Sequence, residues 1–145
     1  MLSSKITARS KIIGSIIAIV IAMMVYSCQS TEQMLQDAYY TNGRDIYIKH
    51  CQNCHGEKGE GLSKLAPPLT DTVFLKNNAK KIAGYIKNGV SDTLIIHGQT
   101  YHEKMPGTNL ANIDIAQVIV YITNSFGNKQ GMYTQEQVAA DLKSF

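Results

Sequence analysis

The sequence predicts an all-α protein with long connecting loops, and three observations carry that expectation. Four stretches repeat their apolar residues at helical spacing. No two stretches make a convincing pair of strands, with Leu94-Ile95-Ile96 a short apolar run at best. Two long segments with glycine and proline separate the helices, and loops of that length in a compact domain call for something to wrap. A chain of 145 residues has room for one compact domain with a tether or a tail. With 17% charged residues it is too weakly charged for a charge-driven disordered protein.

The first element is an N-terminal address. Lys5, Arg9 and Lys11 precede an apolar run, Ile12 to Val25, and no acidic residue occurs before Glu32. A basic stretch, a short apolar stretch and then small polar residues describe an export signal. The run is shorter than the ~20 residues a helix needs to span the hydrocarbon core. It ends at Val25-Tyr26-Ser27-Cys28, which resembles the lipobox of bacterial lipoproteins, with Tyr26 bulkier than the usual residue. That resemblance implies cleavage after residue 27 and a lipid on Cys28; the alternative is an uncleaved anchor helix. Either places the rest of the chain outside the cytoplasm, on the periplasmic side of a bacterial membrane. The formal charge of +3 belongs to residues 1–27, because the remainder has equal numbers of basic and acidic side chains. Nucleic acid therefore drops out as a partner.

Residues 28–42 read as a tether that becomes helical near its end. Gly43, Tyr47, Cys51 and Cys54 form the first helical stripe, with Thr41 or Asn42 as cap. Ala79, Ile82, Ala83, Ile86 and Val90 form the second, opened by Asn77-Asn78. Ile115, Val118, Ile119, Ile122 and Phe126 form the third, with Asn112 as cap and Gly127 as stop. Thr134 and Gln137 have capping-box spacing ahead of Val138 and Leu142, so residues 128–145 form a helical extension.

Cys51-Gln52-Asn53-Cys54-His55 is the c-type haem attachment pattern. Two thiols one short turn apart can each form a thioether to a haem vinyl group, and the adjacent histidine can turn its imidazole to the iron. Two other chemistries fit parts of the pattern. Cys51 and Cys54 with His97 and His102 would supply zinc ligands, but 42 residues separate Cys54 from His97, against ~12–15 in that motif. A thioredoxin-like dithiol needs a βαβ pattern that is absent. Both leave His55 unexplained.

Over residues 43–127 the order of parts resembles the class I c-type cytochromes, here a bacterial monohaem, lipoprotein-anchored form. Gly43-x-x-x-Tyr47 stands ahead of the motif, and Tyr121 is the matching aromatic on the third stripe. Asn88-Gly89, His97-Gly98-x-x-Tyr101, Met105-Pro106-Gly107 and Tyr121-x-x-Asn124-Ser125-x-Gly127-Asn128 extend the likeness. The resemblance implies a cytochrome c fold of three core helices with long loops around one haem c, covalently attached through Cys51 and Cys54, plus a short C-terminal helix. It implies His55 as first axial ligand, its other nitrogen donating to the carbonyl of Pro67, with Pro68 the alternative. Leu69 would pack on the haem face, and Met105 would be the second ligand. His102 and His97 compete with Met105, being in the same loop; His50 reads as solvated, and Met34 and Met132 as surface or packing residues. Ile46, Leu69, Ile82, Ile86, Val118 and Ile122 would surround the macrocycle, which staples a domain otherwise small for its core.

Filling both axial positions leaves no open site on iron, so the expected function is one-electron transfer between respiratory or periplasmic redox partners rather than catalysis. Thioether ligation raises the potential relative to two histidines, so a moderately positive value is expected. Lys58, Lys64 and Lys104 either orient partners or are ordinary solvated lysines. Two alternatives stand: a haem sensor or small peroxidase with a dissociable Met105, and a cytochrome subunit of a dehydrogenase or reductase complex with residues 129–145 as interface.

Overall fold

The computed structural model describes residues 14–22 and 30–145. The chain divides into two units, Met1–Met34 and Leu35–Phe145. In the first, residues 14–22 are helical and expose Ile16, Ile17, Ile19 and Ile21. Cys28 and the rest of the lipobox lie outside the described residues. Among the described residues, no helix is long and apolar enough to cross a membrane.

Helix α1, Thr31–His50, starts twelve residues before Gly43. Ser30 caps it, its Oγ accepting from the Gln33 amide at 3.2 Å and its carbonyl from the Met34 amide at 3.1 Å. Thr41 and Asn42 are therefore mid-helix, with the Thr41 hydroxyl donating to the Asp37 carbonyl at 2.9 Å. The expected tether is helix from residue 31, because a cap opens it, no breaker interrupts it and Tyr39 packs on the core.

A single turn, α2 (Gln52–His55), follows directly. Helix α3, Thr72–Asn77, was not expected; Asp71 caps it, one carboxylate oxygen accepting from the amides of Val73 (3.0 Å) and Phe74 (2.9 Å). Helix α4, Ala79–Asn88, is the second stripe and ends at Gly89. Helix α5, Asn112–Thr123, is the third; Asn112 is its first residue rather than its cap, and the Asp114 carboxylate accepts from the Ala111 amide at 3.2 Å. Helix α6, Gln135–Ser144, has the expected reciprocal cap between Thr134 and Gln137.

Two small antiparallel pairs correct the reading of the second loop as strandless. Strand β1 (Gly89–Val90) pairs with β4 (Met105–Pro106), Val90 opposite Met105. Strands β2 (Leu94–Ile96) and β3 (Gln99–Tyr101) form a hairpin, Leu94 opposite Tyr101. Its two-residue turn, His97-Gly98, has both φ angles positive, which suits the right-handed twist of a hairpin.

Helices α1, α3, α4, α5 and α6 share one core, in which Tyr47, Ile82, Ile115, Ile119 and Val138 are buried. Burial of Val138 makes the C-terminal helix part of that core. Helix α1 lies backbone-close to α5 at Gly43, where a Cβ would stand 2.0 Å from the Gln117 carbonyl oxygen. Only glycine permits that approach. Above it, the Tyr121 ring packs on both Tyr40 and Tyr47, with centroids 5.1 and 5.2 Å apart.

Candidate functional site

The site begins where α1 ends. The Cys51 amide still donates to the Tyr47 carbonyl (2.9 Å), and the amides of Cys54 and His55 return to the Cys51 carbonyl at 3.2 and 3.0 Å. Cys51, Cys54 and His55 are thus set on one tight turn. Gly56 ends it with φ +80°, and the buried Tyr47 hydroxyl donates to the Gly56 carbonyl at 2.6 Å. The residue next to His55 is therefore pinned to the first helix.

The loop after the motif folds back on itself. The Gly61 amide donates to the His55 carbonyl at 2.8 Å and the Leu69 amide to the Gly59 carbonyl at 2.7 Å. That return places the Pro67 carbonyl 2.9 Å from His55 Nδ1. A carbonyl only accepts, so Nδ1 carries the proton and donates, which leaves the Nε2 lone pair as the ring's free donor atom. Burial holds the His55 imidazole below its ordinary pKa, opposed by the Pro67 hydrogen bond. It is thereby kept neutral, the form that binds a metal. Burial also pushes the Cys51 thiol up to about 11, with Cys54 adding to the shift; Cys54 is exposed.

Met105 comes from β4. It pairs with Val90, and its carbonyl would lie 2.4 Å from a Cβ at Gly89, whose φ is +81°. Beyond it the chain is strapped along α4: the Thr108 hydroxyl donates to the Ile86 carbonyl (3.0 Å) and Lys87 Nζ to the Leu110 carbonyl (2.9 Å).

A cavity of about 570 Å³ lies between these segments. Cys51, Cys54, His55, Pro67, Leu69 and Met105 all line it, and so does Pro68. Of the six expected core residues, Leu69, Ile82, Ile86, Val118 and Ile122 line it too, whereas Ile46 packs on the core cluster instead. His97 and His102 do not line it: His97 Nε2 is 3.2 Å from the Asp71 carboxylate, and His102 Nδ1 is 3.1 Å from the Thr93 hydroxyl. His50, read as solvated, is exposed yet reaches the cavity lining, and Met132 lines a separate cavity of about 340 Å³. Among the described residues no three His, Cys, Asp or Glu side chains are grouped to hold a metal ion by themselves, so the zinc set is not assembled.

Phe74 and Asn128 are among the contributors not legible in the sequence as site residues. Phe74 lines the cavity from α3. The Asn128 amide donates to the carbonyls of Leu69 (2.9 Å) and Ile122 (3.1 Å), tying two walls of the cavity together from behind. Its spacing in the sequence gives no sign of that role; only the tertiary fold brings the two carbonyls to it.

Two thiols, an imidazole with one nitrogen free and a thioether, disposed around an apolar cavity in the size range of cofactor sites, fit haem c. Haem c supplies a one-electron ferric/ferrous couple when bound.

Residues 38–122 match the family model described as "Cytochrome C oxidase, cbb3-type, subunit III". The chain is also 30% identical over 93 residues to the "Alcohol dehydrogenase (quinone), cytochrome c subunit" of Gluconacetobacter polyoxogenes, and equally to that of Komagataeibacter europaeus. Those alignments take in 60% of this chain and 19% of each relative, so the chain spans about a fifth of the length of the curated relatives it matches. The family match covers more than half of the chain, from within α1 nearly to the end of α5 and through every cavity-lining residue just described; the chain belongs to this family of c-type cytochrome domains, whose work is electron transfer.

Proposed function

We propose that this chain is an exported c-type cytochrome, tethered to the membrane by a lipid on Cys28, that passes single electrons between redox partners. One haem c would be held covalently through Cys51 and Cys54, with His55 and Met105 as the side chains that would hold its iron. The observation that carries the haem assignment is the convergence of His55 and Met105, 50 positions apart in the sequence, on the cavity that the two cysteines line. The residues divide the work. The Pro67 carbonyl fixes the imidazole's orientation and raises its basicity. Leu69, Ile82, Ile86 and Val118 exclude water. With both His55 and Met105 holding it, the iron would be closed to exogenous substrates, which favours electron transfer over catalysis.

A haem-stained denaturing gel combined with the spectrum of a Met105→Ala variant tests the assignment. Haem is expected to stay with the chain, and the oxidised spectrum is expected to change in the variant. Haem that leaves on denaturation overturns covalent attachment; an unchanged spectrum overturns Met105 as ligand. Carbon monoxide is expected to bind the native ferrous protein poorly, and rapid binding would favour the sensor or peroxidase alternative.

The named relatives favour a second reading, a cytochrome subunit of a dehydrogenase complex. Migration of the membrane-extracted protein as a large assembly with a dehydrogenase would establish it; migration as a small cytochrome would support the free shuttle.

A further inference from the structure

We propose that His97 is a positioning residue that latches the β2–β3 hairpin onto the Asp71 cap of α3 and so holds the Met105 segment closed over the cavity. The inference deepens the proposed function and rests on Met105 being an axial ligand.

The hairpin is the excursion the chain makes between Val90 and Met105, which are themselves paired. Whatever restrains residues 94–101 therefore restrains the segment that ends at Met105. Leu94 and Ile96 of the hairpin line the cavity, as do Phe74 and Leu75 of α3. The hairpin and α3 thus form two leaves of one wall, and what joins them decides whether the wall stays shut.

Two side-chain contacts join the hairpin to the preceding loop. The Gln99 side-chain amide donates to the Ser63 carbonyl at 3.1 Å. The other contact is His97 Nε2 to Asp71 at 3.2 Å. Asp71 is buried, and its other oxygen already takes the Val73 and Phe74 amides. One carboxylate therefore caps α3 and receives the tip of the hairpin, the imidazole N–H donating to it. His97 does this from φ +51°. That turn position selects glycine, asparagine or aspartate, because a larger L side chain is strained there. If the turn alone mattered, glycine would serve better; histidine at this position contributes its imidazole contact to Asp71.

The test measures the full haem-loaded protein in two ways: the rate at which imidazole binds the ferric form, and hydrogen exchange of the backbone amides of residues 94–101. His97→Gly relieves the backbone and removes the latch. It should speed imidazole binding about fivefold, the scale of one hydrogen bond to a carboxylate, and speed exchange in the hairpin. His97→Gln keeps an N–H donor for Asp71 and should bring both readouts back toward wild type. Adding Asp71→Asn to His97→Gly should give no further gain in the imidazole rate. A His97→Gly protein with wild-type exchange and a wild-type imidazole rate overturns the latch, and a further gain on adding Asp71→Asn overturns its pairing with His97. Met105→Ala, measured alongside, separates the two readings. If it binds imidazole no faster than wild type, Met105 is not the ligand, while faster exchange in His97→Gly would still establish the latch itself.

Discussion

The two sides of the cavity are built differently. On the His55 side the chemistry is local: two cysteines and a histidine on one turn, a carbonyl twelve positions on, and backbone hydrogen bonds that close within the loop. On the Met105 side almost everything is long-range. Met105 is placed by pairing with Val90, by the strap of Thr108 and Leu110 to Ile86 and Lys87 of α4, and by a hairpin held at Asp71 and Ser63. A segment held by a few long-range polar contacts opens at lower free energy than one folded on itself. The His55 side is thus the fixed half of the cavity and the Met105 side the half held by distant segments.

The largest expected effect breaks the fixed half outright. Cys51→Ser with Cys54→Ser should abolish the haem-stained band on a denaturing gel while total protein remains detectable. Next comes the support beneath it. Gly43→Ala forces a Cβ into the Gln117 carbonyl and should cost about 3 kcal/mol, at the upper end for overpacking, read as a lowered denaturation midpoint. Asn128→Ala unties the loop at Leu69 from the end of α5 by leaving the Leu69 and Ile122 carbonyls unpaired; about 2 kcal/mol should be lost in the same measurement. The smallest effect sharpens the comparison. Pro67→Ala keeps the backbone carbonyl that His55 uses, so only the rigidity of proline is lost, about 0.4–1 kcal/mol, and the spectrum should not move.

The same division governs what the sequence discloses. The motif, Pro67 at its spacing and the stripes of α4 and α5 are legible because each is a local pattern of residue types. The start of α1 is masked in the sequence although Ser30-x-x-Gln33 is a capping signature, since the polar composition of residues 29–41 suits a tether equally well. The β2–β3 hairpin is not legible in the sequence because three-residue strands carry too little alternation to register, and a His-Gly turn is a weaker signal than Asn-Gly. Helix α3 is six residues long and hangs on the Asp71 cap. The roles of Asn128 and His97 were beyond sequence reading altogether, because their partners come from distant parts of the chain.

The central claim is that Met105 completes the iron's coordination from the long-range side. The midpoint potential of Met105→His, compared with wild type, tests it most directly, because replacing a thioether by a second imidazole lowers the potential of a His-ligated haem. The account predicts a moderately positive wild-type value and a marked fall in the variant. A variant potential equal to that of wild type would contradict it.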